Sequence, residues 1–273
     1  TTGKMHDYSQ PVSRKRLIIR VSRKSLSFSV LDSGNGQISF IPYPLKSGIS
    51  LSANLREAFR DEEILNDKYQ HVLVSVVAPT LTVPTEQFKE QEKEILFRHA
   101  FTNHEQDYVG YTVMDDLNCV VLFAINRNLK SVIADHYPEA RYMAAVAPVW
   151  RHLHQRSYMG TKAKLYCYFH DQRMDVFCYG QNRFKFCNAF DGRDAHDALY
   201  YLLSVWKQLG MKVGHDEMFL VGDVPEQQWL IEELKKYVQR AYVILPTGDF
   251  NRSAVTQIEG MPYDLMTLFV KGR

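Results

Sequence analysis

Most of the motifs that mark an enzyme are missing from this sequence. No Gly-x-x-x-x-Gly-Lys-Ser/Thr, Gly-x-Gly-x-x-Gly, Gly-x-Ser-x-Gly or His-Glu-x-x-His occurs, so the motif-marked dinucleotide, P-loop, hydrolase and zincin chemistries have no foothold. Cysteine is scarce: Cys119, Cys167, Cys178 and Cys187 are the four, and no pair has Cys-x-x-Cys spacing. With no secretory leader in view, a reducing compartment and a cytoplasmic location are expected. No apolar run approaches the roughly 18 residues a membrane helix needs, so no membrane span is expected. Net charge is also lacking. At +2 the whole-protein field recruits no polyanion. The one basic cluster, Arg14-Lys15-Arg16 with Arg20, Arg23 and Lys24, reads as a solvated edge beside a strand. No stacking platform or groove-sized helix flanks it, so nucleic acid is not the expected partner.

What is present is a globular composition, 45% hydrophobic and 23% charged over 273 residues. That suffices for two domains of about 130 residues each. Residues 1–13 are polar and read as a frayed lead-in. Leu17, Ile19 and Val21, then Leu26, Phe28 and Val30, then Ile38 to Ile41 make three strands joined by tight turns, a meander. A helix carrying Leu51, Leu55, Ala58 and Phe59 follows, with Ser50 or Ser52 as N-cap. His71–Val77 reads as a buried strand, with an extension through Leu81 and Val83. A helix is expected over Glu86–Ala100 with Phe88, Ile95 and Leu96, then strands at Tyr108–Met114 and Leu117–Ala124. A helix over Asn126–His136 and a strand at Arg141–Val146 follow, and Pro148–Tyr158 reads as a connector.

The pattern then repeats. Lys164–Phe169, Met174–Tyr179 and Phe184–Phe190 form a second meander, with turns at Asp171-Gln172-Arg173 and Gly180-Gln181-Asn182. Asp194 caps a helix with a Leu199, Leu202, Leu203 and Trp206 stripe that ends at Gly210. Met218–Val221 is a strand, Gly222-Asp223-Val224-Pro225 a turn, and Leu230, Leu234, Tyr237 and Val238 one face of a helix. Ala241–Leu245 is a last strand, and Pro262–Val270 a closing helix. An internal repeat of this length constrains a fold more than any one motif.

The order of elements, together with the terminal Met261-Pro262-Tyr263-Asp264-Leu265 segment, resembles a bacterial family of unknown function with an actin-like ATPase fold. This implies an α/β architecture of two ribonuclease-H-like domains. Each is a mixed sheet opened by a three-stranded meander and flanked by helices. The expected boundaries are 14–150 and 160–273, the C-terminal helix docking on the first domain. The resemblance further implies that ATP would lie between the halves, with an Asp-x-Gly-Thr-like turn in each first hairpin. There the acid holds magnesium and glycine lets backbone N–H groups approach phosphate.

At those positions the chain departs from the pattern. Ser22-Arg23-Lys24-Ser25 has neither acid nor glycine. His170-Asp171-Gln172-Arg173 has one acid and no glycine. Gly222-Asp223-Val224-Pro225 keeps one glycine of the adenosine-binding Gly-Gly-x-Ser stretch. The reading is a non-catalytic actin-like module that works through an unidentified protein partner and needs no cofactor. The alternative is a divergent kinase or ATPase that holds Mg-ATP with Ser22, Lys24, Asp171, Arg173, Gly222 and Asp223.

Other chemistry fares worse. His152-x-His154 sits in the expected connector and reads as two exposed histidines. With a turn at Gln172-Arg173, Cys167 and Cys178 would face each other directly and Cys187 would lie one diagonal step away on the same face, most simply as core thiols. Tyr166, Tyr168, Phe177, Tyr179, Phe184 and Phe186 would share the opposite face as a second core. Asp115-Asp116 is expected at a solvated hairpin turn.

Overall fold

The structure, a computed structural model, describes residues 15–157, 160–181 and 183–270. Residues 1–13, expected as a frayed lead-in, and Asn182 of the second hairpin lie outside them. The chain opens with a meander of β1 (Lys15–Val21), β2 (Leu26–Asp32) and β3 (Gln37–Tyr43). Then come α1 (Leu51–Asp61), β4 (His71–Val76), β5 (Thr80–Pro84) and α2 (Lys93–Ala100). β6 (Asp107–Met114), β7 (Cys119–Asn126), α3 (Arg127–His136), β8 (Arg141–Ala144) and α4 (Val146–Ser157) follow. The second meander is β9 (Lys164–His170), β10 (Arg173–Gly180) and β11 (Arg183–Asp191). It continues into α5 (Ala195–Gln208), β12 (Glu217–Gly222), α6 (Gln227–Val238) and β13 (Ala241–Val243), and closes with α7 (Pro246–Asp249) and α8 (Tyr263–Val270).

The two halves share one topology. Their five-stranded sheets run β3-β2-β1-β4-β8 and β11-β10-β9-β12-β13. In each, the meander is antiparallel, β4 or β12 joins the first strand in parallel, and β8 or β13 adds in parallel to its outer edge. A separate sheet, β5-β7-β6, is inserted in the first half and buries Phe97 of α2.

Local chemistry explains the elements that match the sequence reading. Ser50 caps α1 by accepting from the Ala53 N–H, and Asp194 caps α5 by accepting from His196 and Asp197. Each satisfies donors that the first helical turn leaves free. Asn126 caps α3 in the same way.

Alternation along β9 sorts the core. Leu165, Cys167 and Phe169 point to α5 and α6, while Tyr166 and Tyr168 point inward to a core shared with the first half. α4 lies in that shared core with Trp150 buried among second-sheet rings, 5.9 Å from Phe177 and 5.0 Å from Phe184 between centroids.

Several expectations need correction. α2 starts at Lys93 rather than Glu86, because residues 85–92 form two short 3-10 turns without a side-chain cap. Phe97 is its buried anchor, and Ile95 is 72% exposed. The expected connector is helix α4. Its Pro148 is the third residue, where a missing N–H breaks no intrahelical bond. Tyr237 of α6 is exposed rather than packed.

The cysteine register also shifts. The hairpin loop is Asp171-Gln172, so Cys167 opposes Val176 and Cys178 opposes Leu165. Cys167 and Cys178 are therefore same-face diagonal neighbours, while Cys187 opposes Phe177 on the other face. Cys187 joins the aromatic core and meets Thr82 Oγ1 at 3.4 Å; Phe186 takes its place beside Cys178. Burial pushes the Cys178 thiol up to about 12, which makes it unreactive. Iodoacetamide at neutral pH is accordingly expected to leave Cys167 and Cys178 unlabelled in the native protein and to label both in urea, as read by peptide mass spectrometry.

Candidate functional site

The two first hairpins meet at the junction between the halves, and their turns are bonded to each other. The Ser22–Ser25 turn forms without glycine because Ser22 supplies the missing contacts. Its N–H donates to the Ser25 carbonyl at 2.9 Å, and its Oγ accepts from the N–H groups of Lys24 and Ser25 at 3.1 and 2.9 Å. The opposing turn places Asp171 and Gln172 in succession at φ +47° and +62°. A two-residue hairpin loop requires this left-handed pair, and it favours Asn-Gly. The chain adopts it without glycine.

Asp171 crosses to the first half. Its Oδ1 accepts from Ser22 Oγ at 2.7 Å and Ser25 Oγ at 2.8 Å, and its Oδ2 from Arg20 Nη2 at 2.6 Å. Arg20, 3% exposed, also donates from Nε and Nη2 to the wholly buried Asp264 of α8 at 2.9–3.1 Å. Alternation along β1 turns Arg20 to the inner face, and Tyr168 holds an inner-face position on β9. Both reach Asp264: the Asp264 N–H donates to Tyr168 Oη at 3.2 Å.

Behind Asp171 the network continues. His170 Nδ1 lies 3.2 Å from Asp171 and its Nε2 2.5 Å from Asp175. Arg173 Nη2 donates to Asp175 at 2.8 Å. The His170 ring stacks on Tyr168, centroids 4.2 Å apart. At the surface, Lys24 Nζ donates to Gln172 Oε1 at 2.5 Å.

Beside this clasp lies an open cleft of about 900 Å³. Arg20, Ser25, Asp171 and Arg173 reach its wall, as do Gly222, Asp223 and Tyr263. Gly222 sits at φ +90°, and a Cβ there would come 2.1 Å from the Phe169 carbonyl oxygen. Only glycine lets β12 end so close to β9. Gly222→Ala should therefore destabilise the protein by about 1–3 kcal/mol in urea unfolding. Burial and the Asp171 charge hold the Asp223 carboxyl above its ordinary value.

The clasp carries a pH signature. Burial works against a charged His170, but its bonds to Asp171 and Asp175 more than offset this and raise its pKa above 6.5. Burial also works against the Asp175 carboxylate, yet Arg173 and His170 hold it down at about 2. Asp171 is lowered as well, by His170 and Arg20 acting against burial. A raised histidine contributes stability below its unfolded value, lost as pH rises through the folded value. A lowered carboxylate contributes above its unfolded value, lost as pH falls. The clasp should therefore be strongest between 3.8 and 6.5, the ordinary values of the two groups. Urea midpoints across pH should show a decline on the alkaline side that His170→Gln removes; an identical decline in the variant would refute the assignment.

Of the six residues that sequence singled out, Ser22 and Asp171 are bonded directly. Lys24 reaches Gln172 across the turns, and Arg173 is held by Asp175. Gly222 and Asp223 line the cleft. Sequence reasoning missed Arg20, Ser25, Asp264, His170 and Asp175 as members of the network. The available signal was parity, since Arg20 is a charged residue on the face of β1 that carries Ile18. The two histidines of α4 are not exposed: His154 is buried, and His152 Nε2 lies 2.8 Å from Asp249. Asp249 also meets Arg156 and Tyr263. Asp115 and Asp116 form a 3-10 turn at the surface, with Asp116 3.2 Å from Arg151. Among the described residues, no group of three His, Cys, Asp or Glu side chains converges to hold a metal.

Comparison with solved structures bears on the fold. A Bacteroides thetaiotaomicron protein with actin-like ATPase fold and unknown function superposes with a TM-score of 0.82 at 27% identity, covering 94% of this chain and all of that one. A structure of the PilM–PilN type IV pilus biogenesis complex matches with a TM-score of 0.56 at 9% identity, over 95% of this chain and 98% of that one. It shows likeness of fold alone. No curated protein matches. The architecture is the two-domain, ribonuclease-H-like frame of the actin-like ATPase fold. A family model described as protein of unknown function DUF3822 matches residues 9–241, and the chain belongs to that family.

Proposed function

We propose that this chain is a non-catalytic module of actin-like fold that acts through protein contacts in the cytoplasm, with no nucleotide cofactor. One observation carries the reading: the two turns that the resemblance would place around phosphate are bonded to each other. Asp171, the only acid in either turn, accepts from Ser22, Ser25 and Arg20, so its lone pairs are spent inside the protein. Lys24 is likewise engaged with Gln172. Magnesium or phosphate at this point would have to break a buried ion pair. A frame kept intact around such a junction suits a scaffold. The partner is an unidentified protein, and no membrane-spanning helix occurs among the described residues.

The alternative, a divergent kinase or ATPase, rests on the open cleft beside Gly222 and Asp223. Titration with Mg-ATP, by thermal shift and calorimetry, separates the two. A ligand at 100 times its dissociation constant stabilises by about 2.7 kcal/mol. The expected result is no shift at millimolar Mg-ATP. A saturable shift would replace the scaffold reading by the nucleotide one.

A further inference from the structure

The Asp171 carboxylate sits among its donors as a guest sits in a receptor. The host belongs wholly to the first half: two hydroxyls, Ser22 Oγ and Ser25 Oγ at 2.7 and 2.8 Å, and the guanidinium of Arg20 at 2.6 Å. The host is built independently of its guest. Ser22 Oγ is positioned by backbone N–H groups of its own turn, Ser22 and Ser25 hydroxyls touch at 2.9 Å, and Arg20 is anchored by the wholly buried Asp264. Two neutral donors and one buried cation make a site for a small anion. The guest comes from the second half, on a strained turn in which two successive non-glycine residues take positive φ. Strain of this kind persists only where the surroundings over-determine it.

We propose that Ser22, Ser25 and Arg20 form a preformed carboxylate receptor that the chain fills with its own Asp171, so that the halves are latched by an internal guest. Separating the two turns means withdrawing that guest, and a free carboxylate competes for the same seat. Because Arg20, Ser25 and Asp171 all reach the cleft wall, the seat is open to solvent once Asp171 is shortened. The latch does not depend on whether nucleotide binds, since it consists of the bonds between the two turns.

The test is chemical rescue in the full chain. Asp171→Ala removes the guest and leaves the host. Its Tm should fall, and sodium formate should restore most of the loss in a saturable manner, while sodium chloride at equal ionic strength should not. Asp171→Asn keeps the seat filled with a neutral amide and should show no formate-specific rise. Adding Ser22→Ala and Ser25→Ala to Asp171→Ala should abolish the rescue. Equal responses to formate and chloride, or the same response in Asp171→Asn, would overturn the proposal. If Asp171→Ala does not fold in chloride, the yield of soluble protein on refolding into formate against chloride reads the same competition. Equal yields would count against the receptor.

Discussion

Replacing Arg20 by alanine should lower the unfolding free energy by about 3–5 kcal/mol, the range found when one partner of a buried ion pair is removed. Burial sets the size of this loss. Arg20 is 3% exposed and Asp264 0%, so truncating Arg20 would leave the Asp264 carboxylate buried without the guanidinium donors that satisfy it. Opposite charges hold the guanidinium well above its ordinary value despite burial, which opposes its charge. An exposed pair such as Arg60–Asp61 would contribute about 0–1 kcal/mol by comparison. The pair as a whole is a weaker source of stability than either deletion implies. Arg20→Met with Asp264→Leu together should therefore cost less than the two single changes added. A double-mutant cycle in urea would read this as a coupling of about 0.5–3 kcal/mol. A single-site loss near that of a surface pair would mean the clasp does not hold the halves.

The parts of the fold that sequence made legible are those decided within one or two turns of chain. Ser50, Asn126 and Asp194 announce helix starts because a side-chain oxygen two or three residues away does the capping. Alternation in β1 and a short apolar run in β9 announce strands, and the repeated meander announces the duplication. The clasp is of another kind. Arg20 and Asp264 are separated by 244 positions and Ser22 and Asp171 by 149. No local pattern pairs them, and each alone reads as an ordinary polar residue near a turn. The cysteine register failed for a related reason. Asp171-Gln172 forms the loop although neither residue is glycine, so the expected turn lay one residue late. Between Cys178 and Tyr179 a β-bulge then slips the β10–β11 register by one, which moves a side chain to the other face, so Cys187 and Phe186 exchanged sides. The connector reading of Pro148–Tyr158 failed because a proline in the first turn of a helix breaks no intrahelical bond, and periodicity alone had not delimited that helix.

Helix α4 then becomes the other place where the halves depend on one another. Trp150→Ala is expected to lose about 3–5 kcal/mol, as for other buried large-to-small aromatic changes. Trp150 is 1% exposed and its ring lies against Phe177 of β10 and Phe184 of β11, while its helix follows directly on the first half. The backbone carries a second tie, since Tyr179 Oη donates to the Trp150 carbonyl at 2.6 Å. Ring and backbone can be separated by experiment. Tyr179→Phe removes only the hydroxyl and should cost about 0.5–1.5 kcal/mol, the net worth of one hydrogen bond. Trp150→Phe keeps an aromatic ring facing Phe184 and removes an indole N–H that has no partner among the described residues, so it should lose clearly less than Trp150→Ala. Urea unfolding of the three variants gives the ranking. If Trp150→Ala cost no more than Tyr179→Phe, the hydrogen bond rather than the buried ring would join α4 to the second sheet. The clasp at Arg20 would then be the main tie between the halves.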